Sequence, residues 1–252
     1  MNRFYAFAVH FGVSALVLAI FFAAVFFIWY PAPYFHIEGT HTVILILIGV
    51  DLIIGPLLTL VIFKPGKPGL KFDLSLIAAV QIVALLYGAD TIYSERPYFT
   101  VFSDNYFRVI QASEIDNLRM DLLDPKIDDH HLGPTYVYID KAAHATFKLF
   151  DNVVRNGPKL EHRPEYYKEL KTNISESFGL GMDIEKLAAK SPDNKRIIDA
   201  FRARNPDMDK FVFYPLQGKH RFVILVLNRS DAKVIDYIDI DPWQSTTTDN
   251  PS

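Results

Sequence analysis

The sequence predicts a membrane protein: three N-terminal transmembrane α-helices, then a soluble α+β domain that ends in an antiparallel β meander. Three observations lead there. Apolar runs crowd residues 8–28, 43–63 and 72–89. Charge is withheld from that region, because residues 1–88 hold only four of the 26 Lys/Arg and three of the 29 Asp/Glu. Beyond Arg96-Pro97 the pattern changes to short apolar or alternating runs parted by turn residues, the habit of strands in a water-soluble fold.

The first run, Ala8–Ile28, has no charged side chain. As a helix it measures about 31 Å, the thickness of a bilayer core. It exceeds the apolar segment of a cleaved signal peptide and no A-x-A site follows, so it is expected to stay as an anchor. Ala8, Gly12, Ala15, Ala19 and Ala23 fall at helical spacing, and small residues let helix backbones approach closely in lipid. Packing against the other two spans is the expected use of that stripe, and a partner protein's helix is the alternative.

The second run, Val43–Phe63, carries Asp51 near its middle, just before Gly55-Pro56. A carboxyl at that depth costs about 2.5–3.5 kcal/mol on insertion scales, so it is expected to face protein or a water-filled cavity. Asp51, Gly55 and Thr59 recur every four residues, and Pro56 lacks the donor that would meet the carbonyl of Leu52. Together they predict a kinked, polar, small-residue stripe at mid-depth. The third run, Phe72–Ala89, has Asp73 at its entrance and Gln81 at its centre. Counted from the loop between them, Asp51 and Gln81 lie at similar depth, and their side chains are expected to pair. Such bonds average about 0.6 kcal/mol in membranes, so the pair would fix register more than supply stability. The stripe of Asp51, Gly55, Pro56, Thr59 and Gln81 then has two readings: glue within the three-helix unit, or a site for another polar transmembrane helix or a proton.

Basic residues set the orientation. Arg3 precedes the first span, and Lys64, Lys67 and Lys71 occupy the Pro/Gly-rich loop between the second and third. The loop from Trp29 to Thr42 has none, so the positive-inside rule places the N-terminus and the lysine loop in the cytoplasm and everything after the third span on the far side. Trp29, Tyr30, Pro31, Pro33, Tyr34 and Phe35, with Tyr87 and Tyr93, are expected to form an interfacial aromatic belt. The cytoplasm would then see too little chain for a kinase, nucleotide-binding or DNA-binding module.

In the soluble domain, residues 90–243, strands are expected at Tyr98–Phe102, Tyr106–Gln111 and Thr135–Ile139, and helices at Lys141–Arg155, Asp183–Lys190 and Pro192–Arg204, with Ser191 capping the last. Lys210–Tyr214, His220–Asn228 and Lys233–Ile240 read as the meander, and Gln244–Ser252 as a disordered tail. Chemistry is sparse. The chain has no cysteine, which removes thiol nucleophiles and cysteine-ligated metals. Asp128-Asp129-His130-His131 reads as a solvated loop. His36, Glu38 and His41 lack the spacing that sets two histidines on one helix face, and the Pro-rich lead-in argues against a helix there. Arg163–Tyr167 reads as an exposed aromatic turn. No catalytic constellation, cofactor site or small-molecule site is expected, and the charge is too mild for nucleic acid.

Several of these pieces together resemble the type IV pilin accessory proteins of the TfpX/TfpZ group. They are Trp29-Tyr30-Pro31-x-Pro33-Tyr34-Phe35, Asp51-x-x-x-Gly55-Pro56-Leu57-Leu58-Thr59 and Asp73-Leu74-x-x-Ile77-Ala78-x-x-Gln81. Arg96-Pro97, Asp104-x-Tyr106, Arg163-Pro164-x-x-Tyr167 and Asp241-Pro242-Trp243 complete the set. The similarity is dense over residues 29–112, thin to about 205, and returns at the last strands. It implies an inner-membrane, non-enzymatic helper of pilin assembly or pilus dynamics, partnered by the major pilin and by the assembly machinery in that membrane. The alternatives are a proton-coupled membrane component in which Asp51 titrates, and a membrane-anchored enzyme acting outside the cytoplasm.

Overall fold

The structure, a computed structural model, describes residues 2–115, 118–127, 133–139, 145 and 159–244. The chain divides into two compact units, Met1–Arg96 and Pro97–Ser252. The expected helix at Lys141–Arg155, the Asp128–His131 loop and the tail beyond Gln244 lie outside the described residues, apart from the isolated residue 145.

The first unit holds three helices long and apolar enough to cross a membrane: α1 (Arg3–Trp29), α3 (His41–Ile62) and α4 (Leu70–Ser94), with a short α2 (Tyr34–Glu38) between the first two. Asn2 starts α1 by accepting a hydrogen bond from the Tyr5 N–H at 2.8 Å. α4 continues past the apolar run to Ser94. α3 packs against both α1 and α4. Gly88 of α4 marks one close approach, since a Cβ there would lie 2.6 Å from the Leu47 side chain of α3.

Two stretches depart from α geometry. Val25–Trp29, ending α1, and Ile48–Ile54, in the middle of α3, are wound as π-helix, in which the N–H reaches back five residues. The small-residue stripe of α1 lies on the outside. Ala8, Gly12, Ala19 and Ala23 are exposed and Ala15 is half-buried, and Gly12 has no neighbour within 4 Å of an added Cβ. The packed face carries Ala6, Leu18 and Val25 instead, so the stripe does not join the three helices.

The second unit is built on one seven-stranded mixed sheet. β1 (Pro97–Ser103) and β2 (Tyr106–Gln111) form an antiparallel hairpin turned at Asp104, which takes the left-handed conformation at φ 59°. β3 (Thr135–Ile139) lies parallel to β1 on its other side and pairs with a short β4 (Tyr167–Glu169). Helices α5 (Ile184–Ala188) and α6 (Pro192–Arg204) follow, capped by Asp183 and, as expected, by Ser191, whose hydroxyl accepts from Asn194 N–H. The meander is present as β5 (Phe211–Gln217), β6 (Phe222–Asn228) and β7 (Val234–Ile238), each pair antiparallel. β5 runs beyond Tyr214 through Pro215. The sheet tolerates that proline because β2 pairs with β5 only at Leu216 and Gln217, leaving no ladder bond for the missing N–H to make.

β1 is buried along its whole length, with apolar side chains on both faces. Phe99 and Val101 enter a cluster with Ile110, Val137, Ile139 and Tyr167. On the opposite face Phe102 packs edge-on against Phe107 and Tyr214 and stacks on Tyr138. α6 covers the meander, placing Ile198 and Phe201 over Phe213, Ile224, Val226 and Ile238. Arg163–Tyr167 is not an exposed turn. Pro164–Tyr166 is a 3-10 turn that delivers Tyr167 into the core, where its ring meets Phe99 and its hydroxyl donates to the Glu161 carbonyl.

Candidate functional site

The buried polar side chains of the long helices converge at one level. Asp51, Thr59 and Gln81 are 5%, 3% and 8% exposed, among helix faces that are otherwise apolar. Asp51, Gly55, Pro56 and Thr59 share the buried side of α3, and Gln81 faces them from α4. Sequence reading missed one member, His10 of α1. Its Nδ1 lies 2.7 Å from Thr59 Oγ1, and its Nε2 lies 2.8 Å from Gln81 Oε1. The site therefore ties all three helices together.

Gln81 does not pair with the Asp51 carboxyl, as the sequence led us to expect. Its Nε2 donates to the main-chain carbonyl of Asp51 at 3.1 Å. The π winding gives the physical reason. Gly55 N–H bonds to Val50 O, five residues back, which shifts the register by one and would assign Asp51 O to the N–H of residue 56. Residue 56 is proline and has none. The carbonyl that the π register sets opposite Pro56 is therefore that of Asp51, and the Gln81 amide supplies the missing donor. Gly55 makes room for it, since a Cβ at Gly55 would stand 2.1 Å from Gln81 Nε2.

The orientation of each group then follows. Gln81 spends its N–H on Asp51 O, so its Oε1 must accept from His10 Nε2–H. A neutral His10 has Nδ1 left as an acceptor for the Thr59 hydroxyl, and a protonated one would donate to Thr59 Oγ1 instead. The Asp51 carboxyl stands outside this chain. Both oxygens are buried and have no hydrogen-bond partner among the described residues. It lines a cleft of about 270 Å³ between α1 and α4, together with His10, Ser14 and Gln81. A second cavity of about 310 Å³ lies between α3 and α4, also lined by Gln81, and is apolar except at that amide and Asp73.

The remaining motif residues lie at the helix ends. Trp29 packs edge-on against Tyr93 at 5.1 Å, and Phe35 against Phe26 at 4.7 Å. Tyr30 and Tyr34 turn inward and are almost fully buried, with the Tyr30 hydroxyl donating to Ile92 O at 2.8 Å. Pro31 and Pro33 precede α2, so the Pro-rich lead-in starts a helix rather than preventing one. Lys64, Lys67 and Lys71 are all exposed, and Lys67 pairs with Asp73 at 2.6 Å. Among the described residues no group of His, Cys, Asp or Glu has a geometry that would hold a metal ion.

Residues 1–39 match the family model described as fimbrial assembly protein FimB. Three curated relatives come from Dichelobacter nodosus. The fimbrial assembly protein of serogroup E1 is 27% identical over 250 residues, 94% of each chain. That of serogroups C1 and C2 is 37% identical over 110 residues, 42% of this chain and 83% of its own. That of serogroup I is 38% identical over 110 residues, so the match spans only 42% of either chain. No solved structure matches.

Proposed function

Because this chain belongs to the fimbrial assembly protein (FimB) family, we propose that it is a non-enzymatic inner-membrane accessory protein for type IV pili, of the TfpX/TfpZ kind. It supports assembly of the major pilin, or the dynamics of the finished pilus on which twitching and adhesion depend. In this reading α1, α3 and α4 span the membrane with the N-terminus and Lys64, Lys67 and Lys71 in the cytoplasm. The domain that follows stands in the periplasm. A pilin awaiting assembly has an apolar helix in the same membrane and a head outside it, so a helper of this build can meet both parts.

The observation that carries the reading is the serogroup E1 match over 94% of each chain, which aligns the helical unit and the sheet domain together with a fimbrial assembly protein. The buried site at Asp51, Thr59, Gln81 and His10 supports interaction rather than turnover. Its hydrogen bonds are spent on joining helices, and its one free group is an acid at mid-helix. The test is the number of surface pili against the pilin pool in the membrane, with the gene deleted and then restored. Fewer pili with the pool intact, reversed on restoration, is expected. An unchanged count and ratio would sink the accessory role.

A further inference from the structure

The cleft between α1 and α4 is left chemically incomplete. Asp51 forms its floor, 5% exposed, with two unpartnered oxygens. Neither protonation state mends this. A carboxylate there receives no donor, and a carboxylic acid finds no acceptor. Of the polar groups lining the cleft, His10 is bonded to Thr59 and Gln81 and Gln81 to the Asp51 carbonyl, and the Ser14 hydroxyl makes no bond to the carboxyl either. In hydrocarbon an unsatisfied polar group is costly, so a hydrogen-bonding group that enters the cleft from outside is favoured there.

The rim of the cleft shows what kind of occupant fits. Val13, Val17 and Ile82 are 57%, 42% and 56% exposed, an apolar border at the depth of acyl chains. Ser14 and Ala78, inside that border, are small enough for another backbone to come close. A volume of about 270 Å³ admits side chains of a helix lying along the opening, not a whole helix. Resting on the reading of this protein as a pilin helper, we propose that the cleft seats the transmembrane helix of the pilin, which presents a hydrogen-bond donor to Asp51. The donor is a hydroxyl, an amide or an amine N–H. The outward stripe of Ala8, Gly12, Ala19 and Ala23 is not the seat, because at 100° per residue it faces away from the cleft.

The absence of cysteine makes the test direct. Single variants Val17→Cys and Ile82→Cys, on the two walls, are labelled with a photoactivatable maleimide in native membranes, and Ala19→Cys reports the opposite face of α1. Adducts are identified with an antibody to the pilin. Both wall positions should yield the adduct and Ala19→Cys should not. Adding Asp51→Leu should lower it about tenfold or more, the loss expected when a central buried interface group is truncated, while Asp51→Asn, which keeps an acceptor, should retain most of it. The thermal midpoint of each variant in detergent checks that folding is not the cause. An adduct from Ala19→Cys, or one unchanged by Asp51→Leu, overturns the proposal. So does the lack of any pilin adduct from both walls in a strain whose gene deletion depletes pili, and that result leaves the accessory role standing. If deletion leaves pili unchanged, the accessory role itself has failed.

Discussion

Gly55→Ala puts a methyl group where the Gln81 amide now sits, 2.1 Å from Nε2. The amide is the far end of a flexible side chain, so it can swing away, and the steric cost alone is small. What it cannot do after swinging is keep its bonds to the Asp51 carbonyl and to His10. Two intramembrane hydrogen bonds at about 0.6 kcal/mol each give a loss of about 1.2 kcal/mol, with a ceiling near 3.4 kcal/mol if both match the strongest measured cases. Gln81→Ala removes the same two bonds and should cost a similar amount. In the Gln81→Ala background the three atoms nearest the new methyl are gone, so Gly55→Ala should then cost little. The coupling between the two changes is therefore about 1.2 kcal/mol, above the scatter of additive pairs at about 0.3–0.5 kcal/mol. The assay is equilibrium unfolding of the four proteins in mixed micelles, with Gly12→Ala as a control because no atom approaches its Cβ position. Additive losses would refute the claim that Gly55 exists to admit Gln81.

The other expectations concern the soluble unit and the orientation. Burial of Glu114 opposes its charge, but hydrogen bonds from His162 Nε2 and the Gln111 N–H outweigh that and hold its carboxyl below the usual 4.5. A depressed folded pKa stabilises above the unfolded value and is lost as pH falls through the folded one. Acid unfolding should therefore set in below about pH 4.5, and Glu114→Gln should flatten that slope while costing under about 1 kcal/mol at neutral pH, since the Glu114 side chain is a third exposed. A slope unaltered by the change removes Glu114 from the account. Tyr214→Phe deletes the buried donor that reaches Ser177 O at 2.7 Å, which should cost about 1–2 kcal/mol and lower the melting midpoint of this unit by about 3–6 °C in calorimetry. Orientation is read from single cysteines in intact cells with an impermeant maleimide: Ser230→Cys, in the exposed β6–β7 turn, should label from outside, and Lys67→Cys only after lysis. The reverse pattern would invert the topology.

What was legible in the sequence, and what was not, divides along physical lines. Long apolar runs and alternating ones answer to the solvent each residue meets, so the three long helices and the meander were plain. β4 was hidden because it has three residues and its one buried member, Tyr167, follows a turn motif that reads as surface. The parallel pairings of β1 with β3 and of β2 with β5 join distant segments, and no local pattern specifies them. His10 escaped for a different reason. A neutral histidine adds nothing to a charge count, so the first span looked uniformly apolar, although its depth matches that of Thr59 and Gln81. The π winding of α3 was out of reach as well. Proline declares which N–H is missing, but the carbonyl that loses its partner depends on whether the helix counts back four residues or five. Only the structure shows five, and that single residue of register moves the unpaired carbonyl onto Asp51. The acid and its own backbone then make separate demands. Gln81 answers the carbonyl, and the carboxyl is left facing the cleft.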